Sequence, residues 1–303
     1  MAGIITTQNF AKALYPGVSK WYGNSYNEWA EEYPDLYDAQ TSTRAYEEDV
    51  GVSGTGLAQV KTQGGAVVYD EERQTFITRY THVVYHTGFI ITREMVDDDL
   101  YDIIGKRRSE SLAFSMRQTK EIVAANTYNR AFNSSFVGGD GVSLLNAAHP
   151  NFTGGTWSNV LAVPTDLAEA ALEQACIDIM KFTNDRGLRI SVMPDKLIIP
   201  VDSVFNAHRI LQSDKRVGTA NNDTNALYDM GKFRKVVLNH YLTDTNAWFI
   251  RTNVPNGMKH YTRRKMEFTI DNDFDTENAK FKATERYSFG WTDPRALYGS
   301  PGA

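Results

Sequence analysis

Two histidines four residues apart, His82 and His86, and three aspartates at alternate positions, Asp271, Asp273 and Asp275, are where this sequence comes nearest to metal chemistry. In an extended run that spacing puts both imidazoles on one strand face, where a metal would still need a third ligand at a motif spacing. The aspartates begin like a calcium loop, which demands glycine at its sixth position and glutamate at its twelfth. Thr276 and Lys282 stand there, so the run reads as an acidic hairpin turn. Asp97-Asp98-Asp99 lies near a helix start, where carboxylates favour the macrodipole. Gly54-Thr55-Gly56 lacks the third glycine of a dinucleotide fingerprint, with Gln59 in its place, and the chain has no P-loop. His149 or His240 is a candidate general base for a monomeric α/β hydrolase or binding protein, yet no G-x-S-x-G elbow or H-E-x-x-H helix supports either. Cys176, the one cysteine, excludes internal disulfides and cysteine-based zinc clusters and fits synthesis in a reducing cytoplasm. No catalytic, cofactor-binding or metal site is assigned on these grounds.

What remains is a set of segments that cannot shelter themselves. Residues 51–91 read as β-rich and glycine-punctuated, with strands at Val67-Val68-Tyr69 and Thr75 to Thr81 and a tight turn at Gly64-Gly65. A two-stranded hairpin alone in water is marginal, so something else must cover this one. Lys61 is the only lysine between residues 21 and 105. It reads either as a crosslinking amine on a reaching loop or as a solvated charge that discourages misplaced strand pairing. From Thr92 to Asn133 there is no proline and only Gly105, and apolar residues recur at Val96, Leu100, Ile103, Ile104, Leu112, Met116, Ile122, Val123 and Phe132. That pattern predicts a short helix followed by a long one with these positions on its buried face. Residues 1–50 carry many aromatics, among them Trp21 and Trp29, and eight acids against Lys12, Lys20 and Arg44. The rest of the chain is therefore neutral within the overall charge of −5, and specific duplex binding is not expected. Such an acidic arm either docks on a basic patch of another subunit or presents a solvated face.

The remaining segments predict a compact α/β lobe over 160–255. A helix follows Pro164, capped by Thr165 or Asp166 and ended by Arg186-Gly187, with Leu167, Ala171, Leu172, Ala175, Ile179 and Phe182 on one face. Strands follow at Lys196–Pro200, Lys235–Leu238 and Ala247–Arg251, with a helix at Val204–Leu211 and an exposed loop at Ser213–Asp229 around Asn221-Asn222-Asp223. Met266–Ile270 and Lys280–Phe289 read as two long strands. The class is α+β. At 303 residues, 42% hydrophobic and 23% charged, the chain is ordinary for a soluble protein, with no stretch near the ~20 apolar residues of a membrane span.

The order of these segments resembles the major capsid proteins of tailed bacteriophages, the Hong Kong 97-type fold. Tyr80-Thr-His82 and Gly88-Phe89-Ile-Ile-Thr92-Arg-Glu94-Met95 through Tyr101 are similar to that family's hairpin-to-spine junction. Tyr128-Asn-Arg-Ala131-Phe132 before the Gly138–Gly141 loop resembles the spine's end, and Arg286-Tyr-Ser-Phe-Gly290-Trp291 with Asp293-Pro294-Arg295 resembles its last strands. The resemblance implies an N-terminal arm (1–50), an E-loop (51–91), a peripheral domain (92–159) with a spine helix from near Lys106 to Asn133, an axial domain (160–255), and peripheral strands with a C-terminal tail (256–303). It implies a structural subunit, not an enzyme, that forms hexamers and pentamers of an icosahedral head around double-stranded DNA. Trp21, Trp29, Lys61, Val67 and Tyr69 are then the expected contacts between copies. Scaffolding, portal and decoration proteins are the other expected partners, with packaged DNA held non-specifically, no membrane, and the virion as destination after synthesis in the host cytoplasm. The type member's scaffolding segment has no counterpart here and is expected as a separate protein or as a segment already removed, the retained Met1 favouring the first. The type member's crosslink needs an asparagine and a glutamate besides a lysine; with Lys61 the only E-loop candidate, no catalytic residue is carried over. An encapsulin-like shell around protein cargo is the alternative within the same fold.

Overall fold

The computed structural model describes residues 20, 22–27, 30–97, 101–151, 154–216, 223–273 and 278–303. The chain runs through α1 (described over 22–26), α2 (Tyr33–Leu36), β1 (Asp38–Thr41), β2 (Tyr46–Val52), β3 (Gln74–Thr81) and β4 (Val83–Ile91) into α3 (Arg93–Asp97) and the long α4 (Tyr101–Asn129). Short β5 (His149–Pro150) and β6 (Thr156–Trp157) precede α5 (Glu169–Met180), β7 (Pro194–Pro200), α6 (Val204–Gln212), α7 (Ala226–Asp229), β8 (Lys235–Asn239) and β9 (Trp248–Thr252). The long strands β10 (Met258–Asn272) and β11 (Ala279–Trp291) and the short β12 (Leu297–Ser300) complete it.

One lobe is built on the sheet β12-β9-β7-β8. Its central strand β7 is apolar on both faces, which is why Lys196–Pro200 reads as an unbroken run. Leu197 and Ile199 face a core shared with Leu172, Ala175 and Ile179 of α5 and Ala207, Ile210 and Leu211 of α6. Ile198 faces a second core with Phe249, Leu144, Ala124 and Tyr128, so the end of α4 plugs the back of this sheet. The residues expected to cap α5 are used elsewhere. The Thr165 hydroxyl donates to the Val163 carbonyl (3.0 Å), Asp166 Oδ1 accepts from the Ala303 amide (2.9 Å), and Ala168 is the N-cap with no side-chain bond. The helix ends at Met180, short of Arg186-Gly187. The loop after α6 holds the small helix α7, capped by Asn225, which accepts from the amides of Leu227 (3.0 Å) and Tyr228 (3.3 Å); Asn221 and Asn222 lie outside the described residues.

The second sheet runs β1-β10-β11-β4, with β10 and β11 much longer than the 266–270 and 280–289 expected from sequence. Phe281, Ala283, Glu285 and Tyr287 of β11 are buried beneath the helices, while Lys280 and Lys282 point outward. The turn between the two strands is closed by the Asp273 amide on the Asn278 carbonyl (3.0 Å); Asp275 lies outside the described residues. α4 lies along this sheet. Its 29 residues span roughly 43 Å. Two apolar contacts hold it: Leu112, Ala113 and Met116 against Tyr22, Tyr26 and Ala283, and Ala124 and Tyr128 against Leu36, Tyr37 and Phe249.

Between those contacts the buried stripe is charged. Arg117 donates to the Tyr26 carbonyl through Nε (3.2 Å) and Nη2 (2.9 Å), pairs with Glu31, and lies 4.2 Å over the Tyr26 ring. Lys120 sits 3.7 Å from Glu285 and over the rings of Tyr33 and Tyr287. Glu121 accepts the amides of Glu32 (3.1 Å) and Tyr33 (3.0 Å). The helical period therefore holds, but charged residues occupy its middle, and the apolar reading of this face was drawn to Ile122, which is 41% exposed. Leu112 and Met116 are buried as expected, Val123 and Phe132 are half-buried, and the side chains of Val96, Leu100, Ile103 and Ile104 lie outside the described set.

The acidic segment over 31–49 also departs from expectation: it lies on its own chain rather than in solvent or on a neighbour. Glu31 pairs with Arg117, Glu32 with His240 (2.5 Å), Asp35 with Lys196 (3.0 Å) and Lys235 (2.5 Å), Asp38 with Arg251 (2.5 Å), Glu48 with Arg79 (2.6 Å) and Asp49 with Lys259 (2.5 Å). The side chains of Arg117, Arg251 and Lys259 are less than a tenth exposed, and buried bases of this kind need a counter-charge. Glu28 and residues 1–19 lie outside the described residues.

Two stability predictions follow from α4 and the sheet beneath it. Met116→Ala is expected to cost about 2–4 kcal/mol and Ile122→Ala less than about 1 kcal/mol in urea unfolding; equal losses would contradict the face described. His260, stacked on Phe289 (4.4 Å), is held neutral: burial, and then Lys120, push its pKa down to about 3. Its contribution is complete above its unfolded pKa of about 6.5 and is lost as pH falls toward 3, about 2 kcal/mol by pH 5. Burial pushes Glu121 up to about 7, so its contribution has the opposite sign: complete below about 4.5, lost as pH rises toward 7. Urea midpoints are expected to fall less on acidification in His260→Phe than in the wild type, and less from pH 5 to pH 8 in Glu121→Gln.

Candidate intersubunit surface

β2 and β3 form a two-stranded ladder from Tyr46↔Thr81 to Val52↔Gln74, and the chain between them projects from the body. The root is closed twice. The Ser53 amide donates to the Arg73 carbonyl (2.9 Å), and the Arg73 amide donates to Ser53 Oγ (3.1 Å). Further out, Asp70 accepts the amides of Gly56 (2.6 Å) and Glu71 (2.9 Å) and the Arg186 guanidinium at 2.8 and 3.0 Å; Arg186 also bonds the Glu71 carbonyl. These donors, the Gly56 amide first and then Arg186, hold the Asp70 carboxyl below the usual carboxylate range. The ladder also leans on the 138–141 loop. A Cβ on Gly139 would sit 2.7 Å from the Ile77 carbonyl oxygen, so only glycine allows that approach. A cavity of about 260 Å³ lies at this root, lined in part by Gly51, Phe76, Asp140, Trp157, Trp291 and Arg295.

Beyond Gly56 and Asp70 the chain has a turn, in which the Gly65 amide donates to the Thr62 carbonyl (3.0 Å) with Gly64 at φ +81°, but no strand. The expected strand at Val67-Val68-Tyr69 is thus absent from the single chain. Its side chains point to solvent with those of Leu57 and Val60; Val60 is 97% and Tyr69 91% exposed. Lys61, Val67 and Tyr69 share this projecting segment, and Lys61 has no partner among the described residues. Trp21 and Trp29 lie outside the described residues. Sequence reasoning missed the Asp70–Arg186 pin, which joins residues more than a hundred positions apart and leaves no local signal.

The histidines have structural partners. His82 sits between β3 and β4, its ring nitrogens on Ser42 Oγ (3.0 Å) and Ser288 Oγ (2.9 Å), while His86 is exposed, so the two do not form a ligand pair. His149 is fully buried, stacked on Trp157 and bonded to Asp140 (2.6 Å) and Asn159 (3.1 Å). His240 bonds Glu32, which ties the arm to the turn after β8. As candidate bases, both rings are thus engaged with a carboxylate or an amide. Among the described residues no cluster of three or more His, Cys, Asp or Glu side chains is arranged to hold a metal ion, and no helix is long and apolar enough to cross a membrane.

Among curated proteins none matches the chain significantly. Solved structures do, at identities that speak to fold alone. The virus-like particle from Pyrococcus furiosus aligns with a TM-score of 0.51 at 11% identity, over 93% of this chain and 97% of that one. The procapsid of bacteriophage JBD30 gives 0.52 at 12%, over 97% and 76%, and Mycobacterium phage Che8 gives 0.52 at 11%, over 92% of each. The α+β architecture is the Hong Kong 97-like phage capsid fold. The family model described as phage capsid protein matches residues 75–300, from β3 to the end of β12, and the chain accordingly belongs to the phage capsid protein family.

Proposed function

We propose that this protein is the repeating structural subunit of a tailed-phage head, assembling into hexamers and pentamers that close into an icosahedral shell around double-stranded DNA. The observation that carries this reading is the projecting segment 57–69, which has no strand or core of its own and concentrates exposed Leu57, Val60, Val67, Val68 and Tyr69 in one place. In this reading the E-loop expected over 51–91 narrows to the projecting 53–73, because β4 (Val83–Ile91) belongs to the sheet with β11; α4 is the spine, the lobe on β7 is the axial domain, and β10 and β11 belong to the peripheral domain.

Magnitudes favour a ring over a pair. Burying five such side chains gives roughly 8–15 kcal/mol before costs. Association alone consumes about 4–15 kcal/mol. One loop on one neighbour therefore barely holds, whereas a subunit that both gives and receives a loop within a closed ring is held by two contacts, the second at high effective concentration. Scaffolding, portal and decoration proteins complete the set of proposed partners, and the virion is the destination. The likeness to the Pyrococcus furiosus particle supports, as a second reading, an encapsulin-like shell around protein cargo. The absorbance ratio at 260 and 280 nm of particles from the native source separates genome from protein content.

Deleting residues 57–69 keeps Gly56 and Asp70 and both closures of the root. The variant is expected to melt within a few degrees of the wild type and to sediment as a monomer where the wild type forms particles. Normal particles from the variant, or a wild type that stays monomeric under assembly conditions, would overturn the reading.

A further inference from the structure

We propose that residues 66–69 of one copy add a strand to the open edge of β4 in a second copy; this rests on the self-assembly reading above. Val67, Val68 and Tyr69 are residues that favour a pleated, half-buried surface, yet in the single chain they join no ladder. A segment built as a strand but left unpaired needs its partner from elsewhere.

The edge that fits is β4. It is the last strand in the order β1-β10-β11-β4, paired with β11 from Val83 to Ile91 and with no strand on its other side among the described residues. Exposed sheet edges are ordinarily blunted by lysine, proline, a bulge or shortness. Among the described residues the other edges carry such a block or a cover: β1 has four residues, β8 begins with Lys235, β12 is bridged at Gly299 by Val160, β2 carries Glu47, Glu48 and Asp49, and β3 carries Arg79 and has Gly139 packed on its Ile77 carbonyl. β4 does not. Its nine residues, VVYHTGFII, contain neither proline nor lysine, its ladder to β11 is regular, and Val83, Val84 and Ile90 are about half exposed. Among the described residues Arg108 bonds the Ile90 carbonyl at its end (2.8 Å).

Charge complements shape. The exposed acids Glu71 and Glu72 follow the segment, while Asp70 stays on Arg186. Beside β4, on the face turned away from α4, β11 presents Lys282 opposite Gly88, with Arg286, which also bonds the His82 and Ala45 carbonyls, opposite Val84 and Lys280, which pairs with Asp273, opposite Ile90. Either strand direction brings Glu71 and Glu72 toward one of these bases. The pairing segment lies within four residues of the Asp70 pin, so its far end stands up to about 13 Å from the pin when extended. Strand addition of this kind draws affinity from main-chain hydrogen bonds and selectivity from alternate side chains.

Amide hydrogen exchange of the full chain, compared between assembled particles and dissociated subunits, tests this. Peptides covering 66–69 and 83–91 are expected to slow together in particles, by at least about tenfold. Of Val67→Pro and Val68→Pro, whose amides point to opposite sides of an extended strand, one removes a ladder donor whichever the register, and at least that one is expected to leave the melting temperature unchanged and abolish particles. Particles in which 83–91 exchanges as fast as in the free subunit, or wild-type yields of particles from both variants, would overturn the strand pairing while leaving self-assembly intact. Absence of particles from the wild type would sink both.

Discussion

The fold depends on one constraint: bases removed from water must meet a carboxylate. Arg117, Lys120, Lys196, Arg251 and Lys259 are buried or nearly so, and they come from α4 and from strands of both sheets. Of their counter-ions, Glu31, Asp35, Asp38 and Asp49 all lie in one short stretch ahead of the body; Glu285 serves Lys120, and Asp185 and Asp293 serve buried Arg295. That stretch therefore acts as a strap across both lobes. Removing one partner of such a pair leaves a desolvated charge, which costs far more than the pair itself contributes. The strap also brings Tyr33, Leu36 and Tyr37 into the core beside Tyr128, so charge pairing and apolar burial fix the same path.

The finished body makes the unfinished segment informative. Within the body, α4 meets the sheet through apolar contacts at both ends and a polar waist, and beside that waist Tyr287 Oη and both His260 nitrogens have no hydrogen-bond partner among the described residues. A half-satisfied polar seam is weaker than an apolar one and less costly to rearrange. The projecting chain beyond Asp70 is a different case, with apolar side chains and main-chain groups both open to water. Membership of a family of shell proteins gives these two features a common context, one an internal seam and the other a surface awaiting a like molecule.

Much of this was legible in the letters. The order of elements, the two-faced strand at Lys196–Pro200, the alternation along β11 and the proline-free run of α4 each follow from periodicity alone, because each records one dominant environment. The misses have a shared physical origin. Ile122 was assigned inward because apolar residues are assumed to mark the buried face, and a face that buries Arg117, Lys120 and Glu121 breaks that assumption. Thr165 and Asp166 have the chemistry of helix caps, but the Thr165 hydroxyl bonds back to the Val163 carbonyl and the Ala303 amide reaches the Asp166 carboxylate from a distant part of the chain. The arm's acids gave a net charge without a partner, since their partners are scattered from Arg79 to Lys259. Of the loop residues singled out, Lys61, Val67 and Tyr69 do project outward, whereas the pin that aims them has no local signature.

That pin has a consequence of its own. Asp70 and Arg186 meet at the surface, where an attraction between unit charges is damped within about 8 Å at physiological ionic strength and within about 3 Å in molar salt. The lever they hold is long, so a small loosening at its fulcrum sweeps the tip through a wide arc. Concentrated electrolyte would then leave the subunit folded while blurring the direction in which it reaches, making the fidelity of encounter, rather than the strength of contact, the property most exposed to the ionic medium.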